Sequence, residues 1–475
     1  MKGITLALVV AIPLALAKYC PSYCGCLTYS DSVSCIQKTV RTLPLIYMPR
    51  GQIKEMFFAM NEIRRIPANY FQRFPRLEEI VIIGGKMQSL GRLTFRGLKY
   101  LRKITIIKNK LRSLPSDIFR GLVRLKKLNI RNNEFDTLDP RLFDGLKNLE
   151  ELDFGYNGIR NLPEGLFKDL KNLNLLELGG NRFKILRSSW LSGLTQLNKL
   201  VMTNGEIKKI DDYAFKNLKK LKTLYLESNQ IEKVSNQTFF GLDSLDVLSV
   251  QSNNIQEIES GAFHHLGNIS FLAINGNNIS RIYPYTFSKL KKLERLSLRS
   301  CGLKHLSVNI FQGLNRLTFL SLYNNNVTQL PNNVFIGMPN LQTLVLRRNE
   351  IEKISPEAFY GLTKLKTLYL DFTKITTTEK INFKNIKTLL ELRLSNNLIK
   401  KIQPNAFSPL INLRKLYLNK NKISNISAEG FNGLVNLREL NLNDNLLEDI
   451  PASTFDATPR IYSVSVKGNL KPITG

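Results

Sequence analysis

Apolar residues recur along this chain in one pattern, L-x-x-L-x-L-x-x-N-x-L, complete in "LKKLNIRNNEF" from Leu125. The alternating L-x-L predicts a short half-buried strand, leucines inward and the intervening residues outward. The asparagine that follows can satisfy, with its amide, backbone groups that a turn leaves unpaired. A second signal, F-x-G-L and close variants, recurs at Phe71, Phe95, Phe119, Phe143 and Phe167, passes through Leu191, and resumes from Phe215 to Phe455. Each step is 24 residues, without one insertion or deletion. Every period therefore predicts one strand, one turn and one return path. Such a unit cannot bury its apolar face alone, and stacking the units makes one continuous core.

The asparagine position runs in phase from Asn61 to Asn469, which gives about 18 coils. Asn fills fourteen of these slots, and Gly85, Gly205, Cys301 and Thr373 fill the others. Thr and Cys can still bond weakly there, whereas Gly brings no side chain, so looser coils are expected at Gly85 and Gly205. Cys301 falls in phase with its neighbours and reads as a buried, inert occupant of the slot.

These motifs resemble those of the extracellular leucine-rich-repeat family of the 24-residue class, from about Ile53 to Gly475. The resemblance implies an α/β solenoid, a horseshoe with a parallel β-sheet on the concave face and loops or short turns on the convex side. The regular spacing is closer to Slit, the acid-labile subunit and the variable lymphocyte receptors than to Toll-like receptor ectodomains.

The ends differ from this body. Residues 1–17, "MKGITLALVVAIPLALA", have the layout of a secretory signal peptide. Residues 18–51 contain Cys20, Cys24, Cys26 and Cys35, which in an exported chain read as two disulfides with three pairings open. Zinc is the structural rival. The resemblance implies a cysteine-rich N-terminal cap in which Cys20 joins Cys26 and Cys24 joins Cys35. Residues 52–475 form the solenoid, and "LKPITG" after Asn469 offers no cysteine for a second cap. Pro472, Gly475, Lys467 and Lys471 would blunt the open edge. That bare coil raises two alternatives: a homodimer through it, or a truncated receptor ectodomain. After the leader no apolar run is long enough to span a membrane.

Lysine and arginine number 68 against 38 acidic residues, a net charge of +30. Such an excess favours polyanions, and export makes nucleic acid the least apt of them. Basic pairs fall in two 24-residue phases, Lys219–Lys220 and Lys291–Lys292 just before the strands, and Arg64–Arg65, Lys208–Lys209 and Lys400–Lys401 after the ladder asparagine. They would align into ridges able to hold heparan sulfate or another sulfated glycan, or simply solvate the rim.

Catalysis finds no footing. His264, His265 and His305 stand near no arranged nucleophile, no Gly-rich phosphate loop occurs, and Glu150–Glu151 are strand neighbours. No catalytic residue, cofactor or metal site is expected.

Binding would use the outward strand positions, which fall into three zones. The first is apolar: Phe57, Ala59, Met60, Val81, Ile83 and Ile107. The second mixes acids and aromatics: Asp153, Tyr156, Glu177, Tyr225 and Glu227. The third carries the residue types common at binding hot spots: Tyr323, Arg347, Arg348, Tyr369, Phe372, Arg393 and Tyr417. Tyr369, Arg393 and Tyr417 should form one stacked row. Sequons mark Asn236, Asn268, Asn278, Asn326 and Asn425 for N-glycosylation, all outside the first third of the chain. The expectation is a secreted, non-catalytic recognition protein that binds an extracellular protein or glycoprotein through the concave face. The rival is a basic matrix protein holding a sulfated glycan.

Overall fold

The structure is a computed structural model describing residues 24–27, 31–36, 41, 43, 52–60, 62–279, 281–379 and 381–471. The leader 1–17, Cys20, the Cys26 side chain, Asn61, Pro472 and Gly475 lie outside the described residues. Contacts divide the chain into two compact units, one of Met1–Lys184 with Ser189–Gly205, the other of Ile185–Ser188 with Glu206–Gly475. The division falls at Gly205, one of the two glycines in the asparagine series.

In the first unit, Cys24–Leu27 pairs antiparallel with Ser32–Ile36, and Cys24 stands opposite Cys35. A disulfide joins that pair. Closing a loop this short restrains the unfolded chain by about 3 kcal/mol. Ser32–Ile36 then pairs in parallel with Glu55–Ala59 and so starts the ladder. From Glu55–Ala59 the strands follow at 24-residue intervals through Glu79–Ile83 and Lys103–Ile107 to Lys199–Val201. The second unit runs likewise from Thr223–Tyr225 to Ser463–Ser465. In these pairings residue i meets residue i + 24. Each position in the repeat thus becomes a column of like-placed side chains about 4.8 Å apart.

Burial follows the alternation. Leu344, Leu346, Leu368 and Leu370 are buried, while the residues between them face out. On the far side of each coil the phenylalanines form a spine. Phe71, Phe95 and Phe119 stack with centroids 6.0 Å apart, and Phe239 and Phe263 repeat that spacing. Leu191 interrupts the spine, and there Trp190 packs on Phe183 at 5.0 Å. The return segments are successive turns, with short 3-10 helices at Phe71–Arg73, Phe383–Ile386 and Ala452–Phe455. Among the described residues no helix is long and apolar enough to cross a membrane.

The asparagines bind the coils together. The Asn349 amide donates to Leu346 O in its own coil at 2.8 Å and to Leu322 O in the preceding coil at 2.9 Å. Its carbonyl accepts the Val327 N–H, also in the preceding coil, at 3.1 Å. Asn157, Asn253, Asn397, Asn421 and Asn445 repeat this geometry. Cys301 keeps part of it. Its thiol points at Ile274 O, 3.4 Å away, and its N–H donates to Asn325 Oδ1. Burial pushes that thiol up to about 11, so it stays protonated and inert, as its phase predicts. Thr373 donates to Leu370 O at 3.1 Å.

A second ladder, which the sequence reading did not single out, runs along the turns before the strands. The amides of Asn148, Asn172, Asn268, Asn340, Asn412 and Asn436 each donate to the carbonyl 25 residues earlier.

Replacing Asn349 by Ala would leave the Val327 N–H and two carbonyls buried and unpaired. The expected cost is about 3 kcal/mol, read from the urea-unfolding midpoint. The same change at Thr373, which makes fewer bonds, should cost about 1 kcal/mol.

Candidate functional site

Four columns face the concave side: the two outward strand positions and two residues beyond the strand. The last of these has an unusual backbone. Met60, Lys108, Tyr156, Ser228, Ser300, Asn324, Arg348, Phe372, Asn396 and Lys420 all occupy it with φ between +53° and +57°. Left-handed backbone suits Gly and Asn and costs a bulky residue roughly 1 kcal/mol. Asn and Ser accordingly fill it in several coils, and Met60, Lys108, Tyr156, Arg348, Phe372 and Lys420 are the bulky occupants, Arg348 and Phe372 in adjacent coils.

The third predicted zone is brought together. Arg393 lies between two rings, 5.3 Å from the Tyr369 centroid and 4.5 Å from Tyr417, so the expected row exists. Its Nε also donates to Glu391 at 2.6 Å. One column over, Arg347 and Arg348 share the Phe372 ring at 4.9 and 5.4 Å, and Arg348 also reaches Tyr323 at 5.8 Å. Between these groups lies Asp371, only 5% exposed. Burial pushes its carboxyl above the ordinary aspartate value, opposed by Arg347, Arg393 and hydrogen bonds from Ser395. The Arg347 Nε is buried without a hydrogen-bond partner.

Sequence reasoning missed Arg295, Arg299 and Phe319. Arg295 stacks on Phe319 at 4.5 Å and Arg299 on Tyr323 at 4.6 Å, extending the surface towards earlier coils. The signal was present for Arg299, which is in phase with Tyr323 and Arg347; Arg295 and Phe319 occupy the first outward strand column, from which no residue had been chosen.

The second zone draws on both units. Asp153, Tyr156 and Glu177 belong to the first unit, Tyr225 and Glu227 to the second. Tyr156 is already engaged, with Arg131 over its ring at 4.9 Å and its hydroxyl accepting from Asn204 at 3.1 Å. Asp153 and Glu177 stand side by side in register. Burial raises both carboxyls, and Asp153 raises Glu177 further. Tyr225 and Glu227 lie six strands before Tyr369, and Glu227 Oε2 is buried without a partner. In the apolar zone Met60 is exposed, Phe57, Val81, Ile83 and Ile107 are half-buried, and Ala59 is buried.

The basic pairs do not make continuous ridges. Between Lys219–Lys220 and Lys291–Lys292 the same columns hold Asp243, Ser244, Gly267 and Asn268. Asp243 pairs with Lys219 at 2.7 Å, and Lys292 donates to Asn268 at 2.7 Å. Other bases are matched across strands, as in Lys103–Glu79 at 2.7 Å and Lys127–Glu151 at 2.8 Å. Such exposed pairs add little stability, and Lys103–Glu79 and Lys127–Glu151 balance charge within the first outward strand column. His265 packs edge-on to Phe240 at 4.9 Å, on a return path. All five sequon asparagines are exposed, and none occupies a concave column. The Asn268 amide is tied into the second ladder.

A family model described as "Leucine rich repeat" matches residues 99–159, 147–204, 195–255, 243–303, 274–327, 293–350, 315–375, 363–423 and 411–470. No curated protein matches the sequence. Many solved structures share its fold. Toll from Drosophila, in the Toll–Spätzle complex, is 19% identical with a TM-score of 0.57, over 88% of this chain and 72% of that one. A leucine-rich-repeat protein of Leptospira interrogans is 23% identical with a TM-score of 0.56, over 89% and 93%. The plant peptide hormone receptor RGFR1, in complex with RGF2, is 20% identical with a TM-score of 0.51, over 94% and 83%. At these identities the likeness shows the fold.

Asp371 titrates higher in the folded protein than in the unfolded chain, so the unfolded chain loses its proton first. Stability therefore falls as pH rises from about 4 through the raised value, and stays lower above it. Asparagine already fills this column at Asn275, Asn419 and Asn443. Asp371→Asn should raise the urea midpoint at pH 7, and the advantage should vanish below about pH 4.

Proposed function

This chain belongs to the leucine-rich-repeat family, and we propose that it is a secreted, non-catalytic recognition protein whose second unit binds a protein or glycoprotein through its concave face. The observation that carries this reading is the joined arginine–aromatic surface from Tyr323 to Tyr417, built around buried Asp371. Its groups stack and donate hydrogen bonds, and they form no nucleophile–base pair.

Secretion rests on the leader at residues 1–17 and agrees with the Cys24–Cys35 disulfide. Glycosylation at the sequons would leave the concave columns clear, because all five lie on rims or return paths. Two similar structures, Toll with Spätzle and RGFR1 with RGF2, are complexes with a protein and a peptide hormone, which fits the ligand class proposed here. The sulfated-glycan reading loses ground because the basic columns are interrupted and partly paired.

A panel of secreted proteins from the source organism, screened with a multimerised form of this protein, tests the reading. Hits should weaken at least tenfold with Arg393→Ala plus Tyr417→Ala, and should survive Lys291→Gln plus Lys292→Gln. The opposite pattern, or a heparin-only hit, would sink it.

A further inference from the structure

On the side where its strands begin, the second unit carries a shallow cavity of about 340 Å³, lined by Gln342, Lys364, Lys366, Thr388, Leu390 and Asn412. Register explains the hollow. Gln342, Lys366, Leu390 and Arg414 each precede one of four adjacent strands and form one column, and Lys364, Thr388 and Asn412 form another. Thr388 is the shortest of its three and folds inward, its hydroxyl donating to Leu365 O at 2.8 Å and to Thr363 O at 3.2 Å. Lys364 leans towards the coil before it, where its ammonium donates to Asn340 Oδ1 at 2.7 Å. What remains as the floor is Leu390, half-buried.

Leucine departs from the rule of its column. From Lys54 to Arg438 every other residue in phase with Leu390 is charged or polar, so the repeat itself asks for no apolar side chain there. Ile411 and Val435, 47% and 46% exposed in a neighbouring column, extend the apolar surface. Cations surround it. Among the described residues none of Lys364, Lys366, Lys387, Arg414 and Arg438 has a carboxylate within ion-pair distance, and the segments 363–366, 387–390, 411–414 and 435–438 contain no acid. Glu391 and Glu439, in the adjoining strand column, are taken up by Arg393 at 2.6 Å and Lys415 at 2.9 Å. Of the five sequon asparagines only Asn268 falls in these columns, five coils before Thr388, so glycans would leave the hollow clear.

We propose that this rim is a second recognition surface, which takes a segment of a protein partner bearing one apolar side chain between acidic ones. The apolar group fills the hollow over Leu390. The flanking carboxylates meet Lys366 and Arg414, which stand on either side of Leu390, about 10 Å apart. In an extended segment residues i, i + 2 and i + 4 share a face, so one short stretch presents all three groups together. The long stems of the lysines add apolar wall while their ammonium groups stay in water. A sulfated glycan would find the cations but has nothing to place on the leucine, and for that reason the floor favours a protein. The surface lies outside the concave columns, and the inference goes beyond the reading of the Tyr323–Tyr417 face.

The test measures fluorescence anisotropy of a labelled, end-capped Glu-Gly-Phe-Gly-Glu peptide, with Gln-Gly-Phe-Gly-Gln and Glu-Gly-Gly-Gly-Glu as comparisons. Two variants read the two halves of the site. Leu390→Gln removes the apolar floor, and Lys366→Gln plus Arg414→Gln removes the charge. Gln342 already occupies this column, so both should fold as the parent does; if the first lowers the urea midpoint, the second, wholly on the surface, still decides. The expected result is saturable binding of the first peptide alone, weakened at least tenfold in either variant. Binding should persist with Lys291→Gln plus Lys292→Gln, which lie on the same side several coils earlier, and with Arg348→Asn on the concave face. No saturation at millimolar peptide, equal binding of a comparison peptide, or equal loss in the Lys291 and Lys292 variant would overturn the proposal. Loss with Arg348→Asn would do the same, by moving the peptide to the concave face. So would a heparin hexasaccharide that binds more tightly than the peptide, weakens with Lys366→Gln plus Arg414→Gln and is indifferent to Leu390→Gln, since the rim would then serve sulfated glycans.

Discussion

One buried hydrogen-bonding group, the asparagine amide after each strand, sets the terms for the rest of the molecule. A coil of 24 residues turns sharply enough to leave backbone groups unpaired inside an apolar stack, where each would cost about 1–3 kcal/mol. Asn349 answers this with an amide donor and a carbonyl acceptor, and two of its four bonds go to the coil before it. The amide therefore finishes a turn and also fixes the register of neighbouring strands. Cys301 and Thr373 show that the slot tolerates a weaker donor.

Fixed register is what gives the surface its organisation. Because residue i meets residue i + 24 in each pairing, a side chain's neighbours across the sheet are decided by phase alone. Arg393 falls between Tyr369 and Tyr417 for that reason, and Lys103 meets Glu79 for the same reason. The positive charge, large as a sum, is partly matched where columns mix signs, as at Lys103–Glu79. Of the arginines beside aromatic rings, Arg393 is paired with Glu391 and Arg131 with Asp153. Position within the lattice, rather than net charge, separates a solvated rim from a surface able to select a partner.

Much of this was legible in the chain because the repeat never slips. Strand positions, the buried leucines, the Phe spine and the Tyr369–Arg393–Tyr417 row all follow from counting in twenty-fours. What counting could not supply was contact between columns. Arg347 meets Phe372 across both a strand and a column, and Asp371 becomes buried because larger neighbours close over it. Tyr156 reads as a free aromatic until Arg131 and Asn204 are seen to occupy it. The second asparagine ladder escaped notice because its residues alternate with other types in the same column. The expected basic ridges failed on residues the eye passes over, Asp243 and Gly267 among them.

The direction of the asparagine bonds also orders events in time. Each amide reaches back: Val327 waits for Asn349 and Ile423 for Asn445, in each case 22 residues further along the chain. During synthesis a coil therefore remains open until its successor has emerged, about 1–5 s later at ordinary rates of elongation. The solenoid is fastened from behind, each coil by the next.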